Sequence, residues 1–411
     1  MKGENAVLNG VRWVLGHLLS FGRFIHLRHK KDIMRRGLQI GKILGIPILL
    51  DPSWLFIFGL LTYALSVSFA EKYPQWSNSQ HWVVGTFTSL LFFGSVLFHE
   101  LSHSVIARHY KIRVISITLF IFGGVARIGK DPSKAIQEFN IAVAGPLASF
   151  LLAAAFLGLG TVFAFDEKVA ALAKYLAGTN FALGLFNLAP GFPLDGGRIF
   201  RAIVWGITKD FNKATSAAGT GGKLIAFGLM AYGLWFILHG DWSAVWYALI
   251  GYYLLGAAND TVMQLAVRET LRGLSAADVM SQEVPIISGS LSLEDYGAEV
   301  LRTGRRYHLV VTDDRLVGLM NVQALHAVPR DEWEHNSVQS VMLPRERILW
   351  ASQDEPLQRL LERLFAADIN QMPVVSGSQD DGAHVVGMVS RDAILRVIQA
   401  RSELRHATPN K

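Results

Sequence analysis

Residues 90–110 read LLFFGSVLFHELSHSVIARHY, and this stretch decides how the rest of the chain is interpreted. His99, Glu100 and His103 stand together inside one of the most apolar runs of the sequence. Burying ionisable groups among Leu, Phe and Val is unfavourable unless they have partners. The stretch therefore indicates either a soluble core helix with a polar stripe or a functional site inside a membrane.

The composition favours a membrane protein over a soluble one. Of the 411 residues, 51% are hydrophobic and only 18% are charged, whereas soluble domains carry about 25% charged residues. The segment after Thr261 is as charged as an ordinary soluble domain, so we expect two parts of different solvent class. The absence of cysteine excludes thiolate catalysis, disulfides and Cys-ligated zinc. The net charge of +6 lies in short basic clusters beside apolar runs, which favours membrane topology over nucleic acid binding.

The apolar runs predict a multi-span α-helical membrane protein, because a bilayer-spanning helix needs about 20 mostly apolar residues. We expect about six transmembrane helices, at roughly 52–70, 81–107, 139–165, 170–189, 220–238 and 243–259. Residues 1–44 form a basic extension for which we expect an interfacial amphipathic helix, since its apolar run is too short to span. The transmembrane domain is then 45–262.

The basic residues also predict an orientation. Lys and Arg concentrate in the connections 23–43, 108–134 and 198–213, and the alternate connections hold few of them. The positive-inside rule places the N-terminus, the rich connections and the C-terminal region in the cytoplasm of a multi-pass cell-membrane protein. Within the second rich connection, residues 112–128 are too β-branched and Gly-punctuated for a helix. We predict a short hairpin or re-entrant strand that lines a protein or wet cavity.

The C-terminal region repeats one plan. Residues 275–335 and 336–402 each run through a short motif (DVM or SVM), an apolar-periodic helix, a buried strand, a second strand and a helix. The order β-α-β-β-α resembles a tandem pair of cystathionine-β-synthase-type (CBS) domains. The sequence thus predicts an α+β CBS pair attached to the membrane domain.

His99-Glu100-Leu101-Ser102-His103 is an H-E-x-x-H pattern on a predicted helix. Residues i and i+4 share one helix face, so both imidazoles can reach one metal ion. Glu100 beside them can accept a proton from metal-bound water. Two histidines and a carboxylate in one turn of a membrane helix would be very unfavourable without a metal or other partner. The pattern therefore predicts a metal site.

Catalytic zinc takes three protein ligands and one water, so a third ligand is needed. The candidate is Asp195 in FNLAPGFPLDGGRIFRA (186–202), where Pro190, Gly191 and Pro193 interrupt a span. Asp195 and His103 are both predicted near the inner membrane side. Asp195 could equally cap the following helix, since Asp is a good N-cap. Spacing alone leaves both roles open.

HELSH in a transmembrane helix, followed by N-x-x-P-x-x-x-L-D-G-G, resembles the site-2 protease family of intramembrane zinc metalloproteases. The residues that fit the second motif are Asn187, Pro190, Leu194, Asp195, Gly196 and Gly197. AGPLAS (144–149) resembles the G-P-x-x-N/S element of that family. GIPILLDPSW (45–54) and LFIFGGVARI (119–128) are similar to the subgroup with C-terminal CBS domains.

The resemblance implies roles for individual residues. His99, His103 and Asp195 become the ligands of one Zn²⁺ per chain, and Glu100 becomes the general base. Asn187 is implied, more weakly, to hold substrate backbone or to stabilise the oxyanion. The implied activity is zinc endopeptidase cleavage of a transmembrane protein substrate within or near its span, as in regulated intramembrane proteolysis.

Two interpretations have an alternative: the role of the C-terminal CBS pair and the overall function of the protein. CBS pairs often bind adenosine nucleotides, which implies a cytosolic sensor that gates the protease. The family's ribose-contacting Asp falls three residues after a Ser or Thr, but Ser390 is followed there by Ala393, and Asn321 by Ala324. Homodimerisation or substrate docking through the CBS domains is the alternative. The rival function is a CBS-regulated ion transporter or channel that uses the His/Glu/Asp cluster.

Overall fold

The computed structural model describes residues 37–312, 315–376 and 384–407. The chain divides into two compact units, Met1–Val262 and Met263–Lys411. The interfacial helix predicted in the basic N-terminal extension lies in residues 1–36, outside the described residues, and the end of that extension forms a strand.

The first unit combines long helices with one small sheet. Its elements in chain order are β1 (Leu38–Ile43), β2 (Ile46–Leu50), α1 (Pro52–Lys72), α2 (Asn78–His109), β3 (Val114–Phe120), β4 (Gly123–Ile128), α3 (Ala135–Val162), α4 (Glu167–Asn187), α5 (Asp195–Thr208), α6 (Phe211–Leu238) and α7 (Val245–Leu271), which continues into the second unit. A single 3-10 turn, Trp242–Ala244, precedes α7.

Within the described residues, five helices are long and apolar enough to cross a membrane: α1, α2, α3, α4 and α6. They coincide with five of the predicted spans. The sixth predicted span, 243–259, falls almost entirely in α7, which is helical but less apolar because Trp, Tyr, Asn and Asp residues interrupt its Leu and Ala residues. The count of about six is therefore approximate, and the membrane-protein architecture is confirmed.

The predicted hairpin at 112–128 is present as β3 and β4. The sheet order is β1-β2-β3-β4, with β2 and β3 parallel and the other two pairs antiparallel. Buried Ile48 and Ile117 of this sheet pack with Ala107 of α2 and Ile141 of α3. Burial of these apolar side chains fixes the sheet against the C-terminal end of α2.

The second unit contains the two repeats. Its further elements are β5 (Ile286–Ser288), α8 (Leu293–Thr303), β6 (Tyr307–Thr312), β7 (Arg315–Asn321), α9 (Val322–Leu325), α10 (Val338–Val341), β8 (Leu343–Pro344), β9 (Ala351–Ser352), α11 (Leu357–Ala366), β10 (Gln371–Ser376), β11 (His384–Ser390) and α12 (Arg391–Ala407), with 3-10 turns at Ala276–Asp278, Arg330–Glu332 and Arg345–Arg347. The predicted β-α-β-β-α order occurs twice.

The two repeats exchange their first segments. The strands form two sheets, β5-β6-β7-β8 and β11-β10-β9. Strand β8, which opens the second repeat, pairs with β7 of the first, and Val338 packs into the first repeat's core. In return, Ala276 packs into the second repeat's core, and Ser281 exchanges two backbone hydrogen bonds with Met388, each 2.9 Å. The sequence repeat and the packing unit therefore differ in their boundaries.

Candidate metal centre

The two histidines of α2 lie side by side. His99 and His103 are each 4% exposed, and their Nε2 atoms are 3.2 Å apart. Four residues is close to one helical turn, so the regular helix alone brings the two rings onto one face.

Asp195, the first residue of α5 after the irregular segment 188–194, reaches both histidines. Its Oδ2 lies 3.0 Å from Nε2 of His99 and 3.1 Å from Nε2 of His103, and the residue is buried. Helix α5 begins at Asp195, and the N-cap position is Leu194, which makes no side-chain cap hydrogen bond. The carboxylate is therefore turned toward the histidines, and the alternative of Asp195 as the N-cap of α5 is wrong.

Helix α3 holds the far side of each imidazole. His103 Nδ1 lies 2.6 Å from the carbonyl oxygen of Ile141, and His99 Nδ1 lies 2.9 Å from the hydroxyl of Ser149. A carbonyl can only accept, so Nδ1 of His103 carries the hydrogen and the Nε2 lone pair is free for a ligand. The Ser149 hydroxyl can accept from His99 in the same manner.

Gly145 of α3 leaves the space in front of the two histidines. A Cβ at this position would lie 2.2 Å from His103 Nε2 and 2.5 Å from His99 Nε2, well inside van der Waals contact. The glycine of the AGPLAS element is therefore required because any side chain would occupy the region where the Nε2 atoms converge.

The irregular segment 188–194, which leads into Asp195, packs backbone against backbone on α6. A Cβ at Gly222 would lie 1.9 Å from the carbonyl oxygen of Phe192, and a Cβ at Gly191 would lie 2.3 Å from the Gly222 nitrogen. Gly197 is similarly close to Gly191. These glycines let the segment approach α6 closely, which places the start of α5, and with it Asp195, at the depth of the histidines.

Glu100 lies between α2 and the sheet. Its Oε2 accepts a hydrogen bond of 3.2 Å from the backbone nitrogen of Ala126 in β4. A Cβ at Gly124 would lie 2.6 Å from Glu100 Cγ, so the GG pair of the hairpin makes room for this side chain. The predicted hairpin thus lines the site next to Glu100, one residue from His99.

The donor set fits a zinc ion. Within the described part of the chain, His99, His103 and Asp195 are the one group of at least three His, Asp or Glu side chains whose ligand atoms all lie within 4.8 Å of one another. Donors about 2.0 Å from a tetrahedral centre stand about 3.3 Å apart, close to the observed 3.0–3.2 Å. Two neutral imidazoles and one carboxylate form a ligand set that zinc accepts, with a fourth position left for water.

Asn187 does not join this cluster. It is the last residue of α4, and its side-chain amide donates a 3.0 Å hydrogen bond to the carbonyl oxygen of Leu183 in its own helix. Its predicted role toward substrate stays a prediction.

Several residues of the site were not found from the sequence. Glu138 of α3 and Arg201 of α5 form a buried ion pair, because Arg201 Nε donates to Glu138 Oε1 at 2.8 Å. Glu138 lies between the basic connection 108–134 and the predicted span that begins at 139, and Arg201 lies in the basic connection 198–213, so neither position indicates a buried pair. The Gly219-Thr-Gly-Gly222 run inside α6 is the one sequence signal that was available for close backbone packing.

The fold and the site define a polytopic membrane protein with a buried His-His-Asp centre and a CBS pair. The profile of Peptidase family M50 matches residues 87–166 and 163–229, and that of the CBS domain matches 338–400. A provisionally named zinc metalloprotease of Synechocystis sp. is 32% identical over 377 residues, which cover 90% of this chain and 97% of that protein. Rip3 of Mycobacterium tuberculosis, also provisionally named a zinc metalloprotease, is 32% identical over 89% of this chain and 93% of its own length.

The chain belongs to peptidase family M50, the site-2 protease family. Among solved structures, the site-2 protease of Methanocaldococcus jannaschii is 32% identical, covers 55% of this chain and 94% of its own, and has a TM-score of 0.42. Family membership confirms the recognised resemblance and favours a protease over the rival transporter or channel.

Proposed function

We propose that this protein is an intramembrane zinc endopeptidase that cleaves a membrane-tethered protein within or near its span. The observation that carries the proposal is the convergence of His99 Nε2, His103 Nε2 and Asp195 Oδ2 within 3.2 Å of one another, among membrane-spanning helices and one residue from Glu100. The relatives named as zinc metalloproteases support zinc as the metal.

Each residue then has a part in peptide hydrolysis. His99, His103 and Asp195 would hold one zinc ion per chain, and that ion would lower the pKa of a water molecule and polarise the scissile carbonyl. Glu100 accepts the proton of the attacking water and later delivers it to the leaving amine. The hydrogen bond from Ala126 nitrogen orients the Glu100 carboxylate on the hairpin side. Asn187 lies one bend before Asp195, where it can turn from Leu183 to hold substrate backbone or the oxyanion.

The orientation follows from the basic connections, with α7 as the sixth span. The N-terminus, the α2–α3 connection and the CBS pair then lie in the cytoplasm, and cleavage near the inner membrane side releases a cytosolic fragment. The pattern of Lys and Arg in the short connections supports this topology.

The CBS pair acts as a cytosolic module that gates the protease or docks its substrate. Asn321 Oδ1 and Ser390 Oγ each accept a hydrogen bond from the backbone nitrogen three residues later, at Ala324 and Ala393. These side chains therefore cap the following helices, and Ala at the third position offers no carboxylate for a ribose. A nucleotide sensor would therefore need contacts to the ribose from other residues. A role in dimerisation or substrate docking does not depend on a bound nucleotide.

The experiment that tests the proposal compares wild type with Glu100→Gln in detergent. Both proteins are assayed for zinc content and for cleavage of a panel of single-span proteins with a cytoplasmic reporter. We expect about one zinc per chain in both, and cleavage by wild type alone, because the amide of Gln cannot accept the water's proton.

Equal cleavage by the two proteins would remove Glu100 from the mechanism. Zinc bound to wild type without cleavage of any panel member, together with zinc-dependent ion flux in vesicles, would favour the transporter. Absence of zinc from reconstituted wild type would overturn the proposal.

A further inference from the structure

A second buried charge cluster lies next to the candidate metal centre. Glu138 is fully buried, and Arg201 is 9% exposed. Arg201 Nε donates to Glu138 Oε1 at 2.8 Å, and its terminal Nη2 contacts the same oxygen. Arg198 Nε lies 3.9 Å from that oxygen. Within the described residues, the cations near Glu138 therefore come from α5, and of the two only Arg201 is within hydrogen-bond distance.

Glu138 shares its face of α3 with the groups that hold the histidines. Glu138, Ile141, Gly145 and Ser149 are separated by three, four and four residues, so they lie along one face. Ile141 and Ser149 bond the two imidazoles, and Gly145 leaves them room. One helix face thus fixes the histidines and also binds α5.

Arg201 connects this face of α3 to the irregular segment 188–194, which leads into Asp195. It lies six residues after Asp195 on α5, about 9 Å along the helix axis. Its guanidinium lies 4.8 Å from the ring centroids of both Phe192 and Phe211. Phe192 belongs to the segment that leads into Asp195, and Phe211 opens α6. Arg201 therefore contacts α3, the segment before Asp195 and the start of α6.

Stability alone is a poor reason for such a pair. A buried ion pair often gives little more net stability than apolar side chains of similar volume, because both charges lose their hydration. What the pair supplies is direction, since the planar guanidinium binds one carboxylate and stacks on rings in a fixed orientation. The ion pair at this place therefore serves mainly to fix the orientation of α5 relative to α3.

We infer that Glu138 and Arg201 are positioning residues that hold α5 against α3 so that the Asp195 carboxylate meets the two histidines. The inference rests on the proposed metal site. Loss of the pair lets α5 shift, and the third ligand moves while the histidines stay on α2.

The test measures zinc affinity by chelator competition and the visible absorption of Co²⁺ in the purified full-length protein. We expect Arg201→Gln and Glu138→Gln each to weaken zinc binding about 10–100-fold, the range found when supporting groups of metal ligands are removed. The Co²⁺ spectrum should change because the carboxylate is displaced. The double variant should bind no more weakly than either single variant, because the two residues act as a unit.

Lys213→Gln is the control. It removes a cation whose side chain is 81% exposed and pairs with Asp210 at the surface, so zinc affinity should change less than threefold. Thermal unfolding of the metal-free proteins separates the roles, because a merely structural pair would lower Tm while the folded protein kept its zinc affinity and Co²⁺ spectrum.

Wild-type zinc affinity and spectrum in Arg201→Gln would overturn the inference. Should that variant fail to fold, Arg201→Lys carries the test, since it keeps the charge but loses the planar contacts, and unchanged affinity and spectrum there would overturn the inference equally. If Asp195→Ala binds zinc as wild type does, the proposed metal site itself is wrong, and the inference falls with it.

Discussion

The two halves of the candidate metal centre are held in place by different means. His99 and His103 belong to one regular helix, and their relative position is set by a four-residue spacing. Asp195 opens α5 directly after the irregular segment 188–194, and its position depends on glycine contacts with α6 and on the ion pair between α5 and α3. The first half is a property of local structure and the second of tertiary packing. Substitutions far from Asp195 should therefore disturb its half of the centre more readily.

The largest effect should follow Gly145→Ala, which places a Cβ against both histidines at once. The added Cβ would lie 2.2 Å from His103 Nε2 and displace the ligands. If a zinc-binding free energy of about 12 kcal/mol is shared among four ligands, each ligand contributes about 3 kcal/mol. Displacement of one ligand should therefore weaken zinc binding about a hundredfold. Chelator competition measures the loss. Gly158→Ala in the same helix, where a Cβ meets nothing within 4 Å, should bind zinc normally, and a similar loss there would refute the steric explanation.

The next effect isolates the Asp195 half. Gly222→Ala puts a Cβ 1.9 Å from the Phe192 carbonyl oxygen, so the segment before Asp195 must move away from α6. We expect zinc binding weakened about 10–100-fold, as for loss of a ligand's support. Gly228→Ala, in an open position on α6, is the control. Equal affinities of the two variants would mean that the segment does not need this contact.

Ser149→Ala sharpens the comparison on the histidine side. It removes the 2.9 Å partner of His99 Nδ1 but leaves the ring on its helix. Zinc binding should weaken about tenfold, at the low end for such partners, because α2 still fixes the ring position. The control is Ser102→Ala, whose hydroxyl bonds its own helix backbone at Phe98. A loss as large as that of Gly222→Ala would contradict the contrast between the two halves.

The smallest effect concerns His308, a buried histidine of the second unit. Neither ring nitrogen of His308 in β6 has a hydrogen-bond partner among the described residues. Burial lowers the pKa of His308, because it disfavours the imidazolium. The unfolded chain then binds more protons just below the ordinary pKa of about 6.5, so stability of the second unit falls as pH drops through that value, by at most about 1.4 kcal/mol per pH unit.

Thermal unfolding of the full chain between pH 7.5 and 5 measures this slope. His308→Phe should flatten the part of the slope that this group contributes, whereas replacing exposed His326 should leave it unchanged. An identical pH dependence in His308→Phe would show that other groups determine it.

The same contrast explains what the sequence could predict. Three signals were local or periodic: the spacing of His99 and His103, the β-branched run at 112–128 and the internal repeat. The structure contains the helix, the hairpin and the repeated element order that these signals predict. Asp195 could be singled out, but spacing left it open as a helix cap until the resemblance to a family was considered.

The packing around Asp195 could not be predicted. The proximity of Gly222 to Phe192 is a tertiary contact without a periodic signal. Glu138 immediately precedes a predicted span, and Arg201 lies in the basic connection 198–213; at both places a charged side chain ordinarily faces water or headgroups. Nothing in the linear order indicates that these two meet inside the protein.

The exchange of first segments between the repeats means that neither repeat is a complete module. A chain that ended at residue 335 would keep Ala276 and Ser281 without the core and strand that bury and pair them. It would also lose β8 from the edge of β7. Amides of both repeats should consequently exchange with solvent in one cooperative opening. Evolution can therefore acquire or discard this pair only as a whole.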